Sequence, residues 1–338
     1  MGSTQKIVSS VVWSTIINIV NAIYGFVAVP ILISHFGKTE YGLIGLAMSV
    51  NVYMNLMDMG FNSTNVRFFS KWLAQNGHES LKRAFETRLT FYSIVGFINC
   101  IILIVIARFA SSLFNVTATQ GETLRHLFYI LAVIAICQWF SSCFDQLIKA
   151  TENIAWLQKR TLIPKLLMLL VLLCTVSFNY SLESYLLLTC LAQLAIVPMS
   201  ISKIQHDVPH ISFLPKWDTQ SFKEMLPYCL NIFSFSLFQF SFYNLRPVLL
   251  GMQGTIDSVA DYRILNGIIS IVTLHGGAFT GILLPSSSKI VANNDIKAYN
   301  RIAYDGTKYI SILCCFCSFG MMSIGPEALT LYVDDEYL

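Results

Sequence analysis

Charge is what this chain has least of. Asp, Glu, Lys and Arg make up 12% of its 338 residues, against about 25% in ordinary soluble proteins. Its length alone would suggest roughly two soluble domains, and that reading is excluded by so little charge. The chain also lacks a disulfide framework. Its nine cysteines, at 100, 137, 143, 174, 190, 229, 314, 315 and 317, all fall inside apolar runs at unrelated spacings, where cysteine behaves as a small hydrophobe. Cys314, Cys315 and Cys317 project to different faces of one helix with no histidine beside them, which is not a metal-ligand pattern. Neither a glycine-rich phosphate loop nor an ATPase motif occurs. No catalytic group, cofactor, metal or nucleic-acid partner is expected.

What remains is hydrocarbon. Hydrophobic residues reach 55% and the mean hydropathy is +0.61. Apolar runs of about 20 residues, enough to cross roughly 30 Å of bilayer core, recur along the chain. Nine spans are predicted, near 11–33, 42–66, 89–107, 124–147, 162–179, 183–202, 225–245, 260–285 and 308–326. Only Lys6 precedes the first apolar run, which is too long for a signal-peptide core and reads as a retained helix. With the N-terminus inside, the inner segments hold 17 Lys and Arg and the outer segments 5, so the N-terminus is expected in the cytoplasm. The connection 203–224, with Pro209, Pro215 and Trp217, reads as a joint between lobe 1–202, spans one to six, and lobe 225–338, spans seven to nine. A gapless repeat supports two lobes: SKWLAQNGHESLKR (70–83) aligns with SKIVANNDIKAYNR (288–301). The expected fold is an all-α polytopic membrane helix bundle of two six-helix lobes. They relate by a pseudo-two-fold along the membrane normal, with the second lobe incomplete.

Four spans carry polar faces. In the second, Asn51, Asn55, Asp58, Asn62 and Asn65 follow steps of four, three, four and three, one stripe of one continuous helix. The first carries Ser14, Asn18, Asn21 and Gly25, and the eighth Arg263, Asn266, Ser270, Thr273, Gly277 and Thr280. The seventh has a looser set, Asn231, Ser234, Gln239, Ser241 and Asn244, leading to Arg246. Spans three, five and nine show nothing comparable. Polar stripes in a bilayer face other helices or a water-filled cavity, so helices one, two, seven and eight are expected to enclose a hydrated centre. The plainer alternative is helix-packing glue, worth about 0.6 kcal/mol per hydrogen bond. For Asp58 that alternative is weaker, because a charge near a helix centre costs about 2.5–3.5 kcal/mol on insertion scales. It serves transport, or it caps, or it pairs with a neighbour such as Arg67. Arg67, Arg246 and Arg263 lie near helix ends, where snorkelling to the headgroups is the alternative. His275 lies off the Arg263 face and reads as a packed side chain.

The strings FGKTEYG and DMGFNSTNVRFFSKWLAQNG look like the opening of the polysaccharide-repeat (O-antigen type) flippases. The later FKEMLPYCLNIF, SVADYRIL and LYVDDEYL resemble the start of that family's second lobe and the end of its ninth helix. Its larger exporter superfamily includes multidrug antiporters and peptidoglycan-precursor flippases. The resemblance implies a V-shaped bundle of twelve to fourteen helices in a bacterial inner membrane. Such a protein would move an undecaprenyl-pyrophosphate-linked oligosaccharide between leaflets, near polysaccharide polymerase machinery. Relatives line the cavity with helices one, two, seven and eight. Nine spans depart from that number, and the second lobe is expected to lack about three to five helices.

The cavity candidates are Asn18, Asn21, Asn51, Asn55, Asp58, Asn62, Arg67, Asn244, Arg246, Arg263, Asn266, Ser270 and Thr273. Amides and hydroxyls would meet sugar hydroxyls. The three arginines would meet pyrophosphate. Asp58 would bind a coupling ion, proton or sodium, or hold Arg67. The other readings are a cation or drug antiporter of the same superfamily, a membrane polymerase and a non-transporting subunit of export machinery. Short outer loops argue against the polymerase.

Overall fold

The computed structural model describes residues 3–58, 60–75 and 77–267, with scattered positions between 300 and 323. Among the described residues the only regular structure is helix. Ten helices, α1 to α10, are followed by α11, helical from 256 to 267. Among the described residues five stretches are long and apolar enough to cross a membrane: Val12–Phe36, His78–Arg108, Ala118–Ala150, Ile154–Phe178 and Leu182–Asp207.

Helix α1 (Ser3–Phe36) turns into α2 (Lys38–Tyr53) through Gly37, whose φ of 84° suits a residue without Cβ. The second predicted span is not one continuous helix. After α2 the chain tightens into a 3-10 turn, Met54–Asp58, passes Gly60 in the left-handed conformation, and restarts as α3 (Phe61–Ala74). The cause lies at Gly60. A Cβ there would stand 2.8 Å from the Cys229 carbonyl oxygen, so the chain breaks at a close approach to the backbone of α10 (Thr219–Gln253).

A break inside hydrocarbon exposes backbone groups that must find partners. The Asp58 carboxylate accepts from the Asn62 amide at 2.9 Å, and the Thr64 hydroxyl donates to the Gly60 carbonyl at 3.0 Å. Asp58 therefore caps α3, placing its negative charge at the positive end of the helix dipole.

The core of the first lobe is the long pair α4 (His78–Arg108) and α6 (Ala118–Ala150), joined through the one-turn α5 (Ala110–Leu113). Gly96 lets their backbones approach, since a Cβ there would lie 3.2 Å from Ile136 Cα. Leu89, Leu103, Leu124, Leu127 and Phe128 are fully buried between and around them. The start of α6 is fixed by a capping box between Thr117 and Gln120. Helix α7 (Ile154–Phe178) packs mainly on α1, and ends at Asn179 in the left-handed conformation. The sixth span is two helices, α8 (Leu182–Leu194) and α9 (Val197–Asp207), interrupted just before Pro198.

Helix α10 crosses to α2 and α3, meeting α3 through Phe61 against Phe222 and Lys71 against Glu224. At its far end Gly251 packs on Leu46, and the Asn115 amide bonds to the Gly251 carbonyl. Beyond it, α11 lies over the α1–α2 turn. Lys38 pairs with Asp261 at 2.6 Å, Thr39 donates to Asp257 at 2.8 Å, and Gly42 packs against Ile256.

Candidate functional site

Where the second span breaks, its polar stripe gathers into a pocket. Asn51, Asn55, Asp58 and Asn62 line one side; Asn99 of α4 and Gln138, Trp139 and Ser142 of α6 line the other. The half-open cavity has a volume of about 80 Å³, room for several waters at about 10–15 Å³ each on the same measure. Four sequence candidates are thus brought together, on a wall that faces α4 and α6; most of the eighth span lies outside the described residues.

The floor is a dense hydrogen-bond network. Arg88 of α4, 1% exposed, reaches Asp58 Oδ1 at 3.0 Å. Its guanidinium lies over the rings of Tyr92 at 3.3 Å and Phe61 at 4.3 Å. The Tyr92 hydroxyl also donates to Asp58 Oδ1. Gln146 joins Asn62, Tyr92 and Ser142, and Asn65 donates to Gln146 from a fully buried position. Asp58 therefore holds Arg88 rather than Arg67. Asn99 is buried, and its Oδ1 has no hydrogen-bond partner among the described residues.

Sequence reasoning missed half of this site. Arg88 lies just outside the third predicted span, 89–107, in which no polar face was read. Yet Arg88, Tyr92 and Asn99 stand at steps of four and seven, and Gln138, Ser142 and Gln146 at steps of four. Both are helical stripes. Tyrosine and arginine were the missing members, because a stripe sought in amides passes over them.

The remaining candidates lie elsewhere. Asn18 and Asn21 are exposed on α1, and Asn266 is exposed on α11. The side chain of Asn244 and the whole of Ser270 and Thr273 lie outside the described residues, as do His275 and the second copy of the repeat. The arginines divide between two ends. Exposed Arg67 stacks over Tyr228 at 4.4 Å. Arg246 is exposed near the other end of α10, 18 residues from Tyr228, or about 27 Å along a helix. Arg263 stands at that end too, over the Tyr41 ring at 5.3 Å, its side chain lying so close on Gly45 that a Cβ there would collide with it. One pyrophosphate cannot bridge all three at once.

A second cavity, wholly apolar and about 210 Å³, lies between α2, the 3-10 turn, α4, α5 and α10. Val50, Met54, Ile106, Leu245, Val248 and Met252 are among its walls. On α4, Ile106 follows Asn99 by two turns on nearly the same face, about 10 Å along the axis.

Residues 36–338 match the family model described as polysaccharide biosynthesis protein. No curated protein is significantly similar to the chain in sequence. Among solved structures, the fold is similar to that of the MATE multidrug transporter DinF-BH, determined as a complex. The TM-score is 0.67 at 18% identity, over 97% of this chain and 74% of that one. An inward-facing multidrug resistance MATE family transporter of the MOP superfamily gives 0.70 at 14% identity, over 92% and 72%. A MOP superfamily transporter from Pyrococcus furiosus, described as having a binding pocket of reverse polarity, gives 0.64 at 15%, over 97% and 73%. The likeness is one of fold.

Proposed function

The chain belongs to the polysaccharide biosynthesis protein family, and we propose that it is a flippase. Its cargo would be an oligosaccharide repeat unit carried on a polyprenyl pyrophosphate, moved across a bacterial inner membrane for surface polysaccharide synthesis. The observation that carries this reading is the pairing of the amide pocket with the apolar cavity. They share the segment around 50–58 and one face of α4, which suits an amphiphile with a polar head and a long hydrocarbon tail. The tail stays in lipid while the head crosses among groups that replace its water. The divided arginines suit two stations for the pyrophosphate, one near each membrane face.

With the N-terminus in the cytoplasm, the Lys38–Asp261 and Thr39–Asp257 contacts close the outer end. Arg67 then stands at the entry side and Arg246 and Arg263 at the exit. Rocking of the lobes would open each end in turn. A cation or drug antiporter is the rival within the fold. It needs an acid free to meet a cation, and Asp58 is engaged on both oxygens and matched by Arg88.

The test uses the full-length protein in cells lacking their own flippase. Arg246→Gln and Arg263→Gln should each abolish surface polysaccharide at unchanged protein level. Normal polysaccharide from both variants removes the exit-station role. Uptake of organic cations by inverted vesicles, with no polysaccharide restored by the wild type, would replace the reading with the antiporter.

A further inference from the structure

We infer that the pocket at the break of the second span is a subsite for one uncharged pyranose ring of the head, chosen by the pocket's electrical neutrality. The inference rests on the flippase reading and adds which part of the head sits there, and of what charge.

Three observations carry it. The first is charge. Among the described residues Asp58 is the only ionisable group on the pocket wall, and Arg88 sits behind it at 3.0 Å without lining the cavity. An anion entering the pocket meets the carboxylate before the guanidinium, and pyrophosphate or a uronate is repelled. A cation meets a carboxylate whose charge is already matched and whose oxygens already accept from Asn62, Tyr92 and Arg88. A neutral ligand pays neither cost.

The second is the orphan acceptor. Asn99 is 2% exposed and lines the cavity, and its Oδ1 has no hydrogen-bond partner among the described residues. A buried acceptor left unmade costs about 1–3 kcal/mol, and a turn of the Asn99 side chain toward the cavity would let a ligand donor meet it. Phosphate and carboxylate bring only acceptors; a sugar hydroxyl brings a donor.

The third is the wall chemistry. Asn51, Asn55 and Gln138 each offer both donors and acceptors, matching hydroxyls that are also both. The indole of Trp139, held by Tyr92 at 5.4 Å between ring centroids, adds an aromatic surface. Its negative π-face attracts the weakly positive C–H bonds on one side of a pyranose. Amide edges with one aromatic wall fit a ring that is polar at its rim and apolar on its face.

The experiment reconstitutes the full-length protein in lipid nanodiscs. Ligand-observed saturation-transfer NMR is run with methyl glucoside, methyl galactoside, methyl N-acetylglucosaminide and methyl glucuronide, in sodium or choline chloride. At least one uncharged glycoside should receive saturation, the glucuronide none, and sodium should not displace the bound sugar. Asn55→Ala with Gln138→Ala should remove the signal, and Asn55→Gln with Gln138→Asn should keep part of it. A signal lost from the alanine variant but absent from the conservative one as well reports misfolding. Trp139→Phe then decides, by a weakened but measurable signal.

In parallel, polyprenyl pyrophosphate carrying one such sugar should bind the wild type at least about tenfold more tightly than the sugar-free lipid. The alanine variant should bind both alike. Equal binding of glucuronide, displacement by sodium, or sugar signals indifferent to every variant overturns the subsite. If glycosides bind as expected and neither lipid does, the flippase reading falls and the subsite stands. If both lipids bind equally and no glycoside binds, the subsite falls alone.

Discussion

Replacing Asp58 by asparagine keeps the shape of the side chain but leaves one oxygen for two donors, the Tyr92 hydroxyl on Oδ1 and the Asn62 backbone amide on Oδ2, and removes the charge. Arg88 would then be a guanidinium 1% exposed, held among the described residues by the faces of Phe61, Phe91 and Tyr92. At an effective dielectric constant of about 20, opposite charges about 4 Å apart attract by about 4 kcal/mol. Breaking a buried pair from one side generally costs about 3–5 kcal/mol, because the other charge is left uncompensated. We therefore expect Asp58→Asn to destabilise the protein by about that amount, a shift of about two to four orders of magnitude in the unfolding equilibrium. Removing both charges, as Asp58→Asn with Arg88→Met, should recover most of the loss, since apolar replacement of a buried pair is often neutral or better. Thiol-reactive fluorescence in mild detergent reads the transition once the exposed Cys137, Cys174 and Cys315 are replaced, because Cys143 and Cys229 are fully buried in the fold. An Asp58→Asn variant as stable as the wild type would refute the reasoning. The carboxylate would then be uncharged in the folded protein, free to act as a proton or ion carrier, and the neutral pocket would have no basis.

Three further outcomes follow from the same structure. Gly60→Ala puts a Cβ at a φ of 77° and 2.8 Å from the Cys229 carbonyl. It should cost about 1–2 kcal/mol for the backbone alone, more as α10 is displaced, and bring Cys229 into earlier reaction with a thiol reagent; unchanged reactivity counts against the close approach. Lys38→Glu sets like charges opposite Asp261 at the contact between α2 and α11. An exposed pair is worth about 0.2–1 kcal/mol, so labelling of a cysteine at Ser49 by an impermeant maleimide should rise up to about fivefold and fall back when Asp261→Lys is added. Asp218 caps α10, and the Ser221 hydroxyl and amide hold its carboxyl below the usual carboxylate range. Its contribution is complete above about pH 4 and is lost as pH falls through the lowered value. Asp218→Ala should therefore cost about 1 kcal/mol at neutral pH and converge on the wild type in acid. A constant difference down to low pH would rule the cap out.

The fold class was legible because it is written in long-range composition. Apolar runs have to match a bilayer whatever their neighbours do, and the described spans follow those runs. The break in the second span was not legible, although Gly60 stands in the middle of it. Glycine is common in membrane helices, and what makes this one a joint is the Cys229 carbonyl of a helix more than 150 residues later. The partner of Asp58 was hidden for a related reason. Arg67 is nearer in sequence, and reading along one helix favours it. Arg88 lies on the next helix, and only the packing of α4 against the 3-10 turn brings it to 3.0 Å. The amides at 51, 55 and 62 were visible as a stripe because their spacing is local; the spacings of Asn99 on α4 and of Gln138 and Ser142 on α6 are local too, but only tertiary contact shows that the three stripes face one pocket.

The broken span also accounts for why a carboxylate stands there at all. A continuous helix would satisfy its own backbone, and its stripe would need no charge. Once Gly60 turns the chain toward α10, the amides at the start of α3 lose their helical partners. A carboxylate is the strongest acceptor a side chain can offer them. That charge then needs an answer inside the lobe, which Arg88 provides, and Arg88 in turn needs the aromatic faces of Phe61, Phe91 and Tyr92. Each residue follows from the one before, and the sum of the charges is zero. The cavity left beside the break is therefore polar without being ionic. On the neutral-pocket reading, ion coupling is to be sought at an acid other than Asp58.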